Sequence, residues 1–396
     1  MVDISGGVPA DVLIGRVQSL QDWGRQNGFD ALVVFGQGSV LGTATRSHGN
    51  LRYLIDWDGD AAASALVIPA QGQPSLVVAN IFAQMRGRER TALADVRFGR
   101  GPSFASAIAD LLPAGTRRVA LAGRDEIPFA IWQPLADAGA NAWVSCDAEL
   151  ARRRAIKDSL QIAFHRQAAA ICDRMFEALG PALHTGQTVA DIQAELEKFG
   201  RQQGCEYCDT WLTVLPAADR CRYLAEENTN VPVPGDQVLL GIMLIFHGHW
   251  GHAIRTGSLG APSAAAQRVF NMVEDMHTAM LAHLHPGADL RAAGDAGLMK
   301  DSDLGSNLGA HFQFRGGHAL GYSYEDPIGS AEFPQPYDPT AKIPAEPRIV
   351  EPGMLFEVHP NLFIEGVAGA SIGDMVLVTE HGPELLTKHP RTLLSL

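Results

Sequence analysis

Residues 353–387, GMLFEVHPNLFIEGVAGASIGDMVLVTEHGPELLT, decide the fold. Apolar side chains alternate with others in two arms joined by a glycine-rich turn, and a second turn follows at His381-Gly382-Pro383. That period of two is the pattern of a half-buried antiparallel pair. On the first arm Glu357, His359 and Asn361 fall at i, i+2 and i+4, so on one strand they share a face. A carboxylate, an imidazole and an amide are costly to bury together without partners. The spacing therefore predicts that this face looks into a site.

The totals limit what can surround it. A chain of 396 residues is too long for one ordinary core, and two domains are expected. The composition, 46% hydrophobic and 19% charged, is that of a globular protein, and no apolar run reaches the roughly 18 residues of a membrane span. The start, MVDISGGVPADVLIG, lacks the basic-then-apolar order of a signal peptide, so the expected location is cytoplasmic. A formal charge of −13 argues against nucleic acid as a partner and suits a small-molecule substrate. Five cysteines, an odd number, do not form a disulfide framework; Cys205 and Cys208 form a CxxC with no second pair to complete a zinc site, and read as buried thiols. Histidine is the skewed residue: 11 of the 14 lie between His247 and His389.

Along the chain, residues 10–30 have helical apolar spacing, and ALVVFG, SALVIPA, SLVVAN and RVALAG read as strands alternating with helices. The pattern predicts an α/β domain with a mixed sheet over residues 1–152. The basic run ARRRAIKDSLQ marks the boundary. Two long helices follow to about 204, the second opened by an N-cap at Thr188. Residues 205–260 read as β-rich, 262–285 as helical, and a proline-rich loop at 333–352 reads as a surface wrap.

Four ordered blocks in the last third, GDQVLLGIMLIFHGHWGHAIRTGSLG, FRGGHALGYSYEDP, EPGMLFEVHP and IGDMVLVTEHGPELLT, resemble the creatinase, prolidase and aminopeptidase P superfamily. RAIKDSLQIAFHRQAAAICD resembles the helix opening its catalytic domain, and HGNLRYLIDW a segment of the creatinase-type N-terminal domain. The resemblance implies an α/β N-terminal domain followed by an α+β "pita-bread" catalytic domain over residues 153–396. In metallopeptidase members of that superfamily, two Asp, one His and two Glu hold a pair of metals. Carried over by block, those positions fall at Gly241, His252, His318, His359 and Gly373. Only the histidine is kept, so the bridging carboxylates a dimetal site requires are lost.

The resemblance instead brings His252, His318 and His359 together, and three imidazoles can hold one divalent metal, zinc or iron. The leading expectation is a mononuclear hydrolase cleaving a non-peptide C–N bond, with Glu357 or Glu325 as acid–base candidate. A second is an iron dioxygenase opening a hydroxylated N-heterocycle, by resemblance to dihydroxypyridine ring-cleaving enzymes, although Asn361 stands where those have an Asp. The others are a metal-free hydrolase of creatinase or ectoine type and a non-catalytic peptide-binding module. Arg315 is a candidate for gripping a substrate carboxylate, and Tyr322, Tyr324 and Asn361 for lining the pocket. Arg255 is read as a salt-bridge partner of Asp236 or Asp374, and His247 and His249 as exposed at a hairpin tip. Creatinase-type relatives are homodimers in which one N-terminal domain covers the other subunit's site. That implies a homodimer here, with Arg52, Tyr53 and Trp57 as contacts.

Overall fold

The computed structural model describes residues 4, 6–138, 142–216, 229–298, 311–327, 333, 340 and 346–396. Most of the proline-rich loop lies outside them. The chain divides into two compact units: Asp3–Arg154 with Gly321–Pro327, and Ala155–Leu320 with Ile328–Leu396.

The first unit is a six-stranded mixed sheet flanked by helices, the α/β arrangement expected from the alternating pattern. Its strands are β1 (Ala31–Gly36), β2 (Ser64–Pro69), β3 (Ser75–Val78), β4 (Asp95–Phe98), β5 (Arg118–Ala122) and β6 (Ala142–Ser145), in the order β4-β3-β2-β1-β5-β6. The helices are α1 (Ala10–Gln26), α2 (His48–Ile55), α3 (Ile81–Arg90), α4 (Pro102–Ala109), α5 (Phe129–Ala138) and α6 (Asp147–Ala155). β1, ALVVFG, is buried along its whole length because apolar clusters cover the sheet on both faces: Leu32 and Val34 belong to one, Val33 and Phe35 to the other.

The second unit opens with α7 (Ser159–Leu183), whose N-terminus is closed by a capping box between Asp158 and Gln161, and α8 (Val189–Gln202), closed likewise by Thr188 and Asp191. Three long antiparallel strands follow, β7 (Tyr207–Pro216), β8 (Asp236–Phe246) and β9 (His249–Ser258). The turn between β8 and β9 places His247 and Gly248 at positive φ, 46° and 76°, as a two-residue hairpin requires. Next come α9 (Ala264–His283), α10 (Leu290–Ala296), β10 (His311–Phe312) and β11 (Gly317–Ala319). The remaining strands are β12 (Leu355–Val358), β13 (Asn361–Ile364), β14 (Ala368–Ser371), β15 (Asp374–Thr379), β16 (Gly382–Leu385) and β17 (Leu394–Ser395).

The stretch 353–387 is a hairpin, as its alternation predicts, but each arm is broken once. β12 pairs with β15 and β13 with β14, so the pairing is interrupted at His359-Pro360 on one arm and at Ile372-Gly373 on the other. Pro360 has no N–H for the ladder, and its carbonyl instead accepts from the Ser371 hydroxyl at 3.0 Å. The two halves join different sheets, β11-β12-β15-β16 and β10-β13-β14. Asn361 therefore leaves the face it was expected to share with Glu357 and His359. Among the described residues no helix is long and apolar enough to cross a membrane.

Candidate metal centre

Three strands and one break in a strand deliver the site. β11 pairs antiparallel with β12 so that His318 lies directly opposite Glu357, the closest cross-strand relation a sheet offers. His359, two residues after Glu357, points to the same side. β9 meets the hairpin at its other break: Ile254 and Gly373 exchange backbone hydrogen bonds of 3.1 and 2.9 Å, an isolated bridge that brings His252 alongside.

The result is a buried carboxylate ringed by imidazoles. Glu357 Oε1 lies 3.5 Å from His252 Nε2, and Glu357 Oε2 lies 3.5 Å from His318 Nε2 and 3.1 Å from His359 Nε2. His252, His318 and Glu357 each offer one ligand atom within 4.8 Å of the others. The sequence grouped His359 with the two histidines; the set that closes to metal-binding distances has Glu357 in that place, with His359 beside it. Among the described residues, neither oxygen of Glu357 nor either nitrogen of His359 has an aligned hydrogen bond.

The rings are aimed from behind. His252 Nδ1 lies 2.7 Å from the Ile242 carbonyl and His318 Nδ1 lies 3.0 Å from that of Ala319. A proton on Nδ1 donated to a carbonyl leaves Nε2 as a lone-pair donor facing the carboxylate, the arrangement that prepares an imidazole for a metal. Burial pushes His252 down to about 4, with Arg315 pulling the same way and the Ile242 carbonyl opposing. Burial also takes His359 well below its ordinary value, aided by His318 and Arg315. Glu357 moves the other way. Burial, reinforced by Asp374, raises its carboxyl well above the usual range against the pull of Arg315 and Arg255.

Those groups fit one divalent cation. Two imidazoles and a carboxylate are a donor set of catalytic zinc and non-haem iron sites, and a cation would favour ionised Glu357 beyond the pull of Arg315 and Arg255. They do not fit a dimetal pair, because Gly241 and Gly373 present no side chain. Gly373 instead makes room: a Cβ there would come 2.3 Å from Glu357 Oε1.

Behind the site a buried ion pair fixes the hairpin. Arg255 Nη2 donates to Asp374 Oδ1 at 2.8 Å, and its other donors reach the carbonyls of Ile254, Gly373, His389 and Pro390. The Thr387 hydroxyl donates to the same Asp374 oxygen at 2.6 Å, and His277 Nε2 lies 3.2 Å from the other. Of the two partners read for Arg255 in the sequence, Asp374 is the one used.

Arg315 is half-buried, and its charge acts on Glu357, His252 and His359 alike. Asn361 takes a structural part: its Oδ1 accepts from Phe314 N at 3.0 Å and its Nδ2 donates to the carbonyls of Phe314 and His359, both at 3.2 Å. Tyr322, Tyr324 and Glu325 belong to the unit built on the N-terminal sheet. There the Tyr322 hydroxyl accepts from Arg16 at 3.1 Å, and Glu325 pairs with Arg46 at 2.6 Å. Arg52 pairs with Asp56 at 3.2 Å. Trp57 corrects its reading as a contact residue: it is buried in the N-terminal core, with Nε1 donating to Ser64 Oγ at 3.0 Å. His249 corrects its reading too. It is buried, stacked on Phe164 with centroids 4.6 Å apart, while His247 remains exposed. In a two-residue hairpin only the turn residues leave the sheet, and His249 is already paired with Phe246. Cys205 and Cys208 are buried thiols, both pushed up to about 12 by burial. The residue that sequence reasoning missed is Trp211. Its signal was the alternation of β7, where Tyr207, Asp209 and Trp211 are partly exposed while Cys208, Thr210 and Leu212 are buried.

Comparison with known proteins agrees with this architecture. The sequence pattern of metallopeptidase family M24 matches residues 163–380, more than half of the chain. Uncharacterized peptidase YqhT of Bacillus subtilis (strain 168) is 23% identical over 365 residues, covering 92% of this chain and 98% of its own. Probable dipeptidase PepE of Mycobacterium tuberculosis (strain H37Rv) is 25% identical over 344 residues, covering 84% and 85%. Among solved structures, the prolidase from Pyrococcus horikoshii OT3 superposes with a TM-score of 0.77 at 17% identity, covering 96% of this chain and all of that one. The fold is therefore prolidase-like, an N-terminal α/β domain followed by a pita-bread domain.

Proposed function

Because this chain belongs to metallopeptidase family M24, we propose that it is a metal-dependent hydrolase that acts on a non-peptide C–N bond. The bond would be an amide, amidine or N-heterocycle linkage in a small carboxylated molecule. The observation that carries this reading is the carboxylate of Glu357, seated over Gly373 and facing Nε2 of both His252 and His318. It supports one metal, zinc or iron, held by His252, His318 and Glu357, in place of the pair used for peptides. A divalent ion bound there supplies Lewis-acid polarisation of the group to be cleaved. His359, with Nε2 3.1 Å from Glu357 Oε2, is an acid–base candidate beside that position. Arg315 offers a planar cation for a substrate carboxylate. Glu325 and Tyr322, engaged with Arg46 and Arg16 in the other unit, are secondary candidates, as is Tyr324 beside them. A homodimer and a cytoplasmic location complete the proposal.

A second reading has its own observation. Two histidines and one carboxylate at mutual ligand distance are also the donor set of non-haem iron oxygenases. The two separate by metal identity and oxygen demand. Metal analysis of the purified protein beside His318→Ala is expected to find about one equivalent per chain, lost in the variant. Turnover that continues without oxygen supports the hydrolase; turnover that consumes it supports the oxygenase. No metal in either protein after reconstitution would overturn both.

A further inference from the structure

The resemblance assigns a metal-binding Asp of the peptidases to Gly241, and here an aromatic ring stands beside it on the neighbouring strand. Trp211 on β7 is the direct register partner of Gly241 on β8, which in turn faces Ile254 on β9. A Cβ on Gly241 would lie 3.7 Å from Trp211 Cε3 and 3.8 Å from Ile254 Cγ1, so the indole lies across the glycine at van der Waals contact. Its edge approaches His252, with ring centroids 6.4 Å apart and planes 77° apart.

Trp211 is not isolated. It packs with Phe314 against buried Leu239, Ile254 and Phe363. Phe314 lies 5.6 Å from the ring of His359, and Phe312 continues the row at 6.4 Å from both Phe314 and Phe363. One side of the candidate centre is thus lined by aromatic rings tilted to one another, and the residue following Phe314 is the half-buried Arg315. A wall of this kind favours a planar π-system over a saturated chain, because offset stacking adds to simple burial of area. The arginine favours an anion.

We propose that this wall is the substrate-recognition surface, and that it takes a planar ring acid, an aromatic or heteroaromatic carboxylate. The ring lies against Trp211 and Phe314, and Arg315 draws the acid group. This names the substrate class for the hydrolase reading and rests on it.

Benzoate and cyclohexanecarboxylate test it, since they share charge and size and differ in planarity. Their affinities for the protein as purified are measured by calorimetry or ligand-observed NMR, with benzyl alcohol as the planar neutral probe. Benzoate is expected to bind about 2- to 10-fold more tightly than the saturated acid, the range that aromatic stacking supplies. Trp211→Leu is expected to abolish that preference and Trp211→Phe to retain it. Arg315→Gln is expected to weaken both acids and leave benzyl alcohol unchanged. Equal affinity for the two acids, no binding of either, or a preference that survives Trp211→Leu would overturn the proposal. Binding is read without turnover, so the two readings fail separately. A metal-free, inactive protein that prefers benzoate through Trp211 sinks the hydrolase reading alone. A metal-loaded hydrolase with no preference sinks this one alone.

Discussion

Glu357 Oε1 occupies the space that a side chain on Gly373 would need: a Cβ there would come within 2.3 Å of it. In the peptidases that this chain resembles, the same backbone position carries a ligand Glu. Here the carboxylate comes from the neighbouring strand and the position beneath it is bare.

Gly373→Ala is accordingly expected to disable the site. The new methyl would meet Oε1 of Glu357, and also the backbone N of Ile254 at 2.8 Å and its Cβ at 2.9 Å. The last two belong to β9 and cannot swing aside. Destabilisation of about 1–3 kcal/mol and loss of bound metal are expected, read by denaturant unfolding and metal analysis. Gly241→Ala is the control. Its nearest neighbours would be 3.7 and 3.8 Å away, ordinary contact, so stability should be nearly unchanged. Equal effects at the two glycines would refute the account.

Glu357→Gln separates the ligand from the fold. Burial raises this carboxyl well above the usual range against the pull of Arg315 and Arg255, and glutamine matches the protonated form in shape and neutrality. Without metal the variant should be at least as stable as the parent. With metal it should bind roughly 10–100-fold more weakly or worse, so a chelator should lower the parent's melting temperature and leave the variant's unchanged. A variant that keeps full metal affinity would remove Glu357 from the ligand set.

Much of this was legible in the sequence, and the exceptions have physical causes. Alternation over 353–387 predicted the hairpin, and the spacing of Glu357 and His359 predicted their shared face. The same rule failed one step later at Asn361, because Pro360 ends the ladder and β13 joins another sheet. His252 and His318 were placed together only through the resemblance, since periodicity says nothing about which strands meet. That Glu357 rather than His359 closes the donor set depends on the missing side chain of Gly373, a contact between strands that no local pattern encodes. Trp57 misled because an indole beside acidic residues reads as surface, whereas its ring fills the N-terminal core.

The Arg255–Asp374 pair should be one of the costliest to break. Burial alone would raise Asp374, but Arg255, with His277 and Thr387, holds its carboxyl far below the usual range. Asp374→Ala leaves a guanidinium in the interior with only carbonyls as partners, and about 3–5 kcal/mol of stability should be lost. The pair's contribution is complete above the unfolded carboxylate value near 3.8 and fades as pH falls below it toward the folded value. An unfolding free energy within 1 kcal/mol of the parent at neutral pH, on the scale of a typical exposed pair, would show that the pair does not hold the hairpin.

His165 gives the metal-free protein a pH dependence away from the site. Its ring is buried between α7 and β9, with Nδ1 2.9 Å from the Trp250 carbonyl. Burial drives it down to about 3, with Lys157 adding to the effect and the Trp250 carbonyl opposing it. Between about 3 and the unfolded value of 6.5 the unfolded chain binds a proton that the native state refuses. Stability must therefore rise with pH across that window and fall on acidification, by about 1.4 kcal/mol per pH unit for this residue. His165→Gln cannot titrate and should flatten the slope between pH 4 and 6, the range within which the unfolded imidazole protonates. Urea unfolding of the two chelator-treated proteins at several pH values in that range measures the difference. Parallel profiles would mean that His165 is protonated in the native state, and that burial there does not exclude the charge.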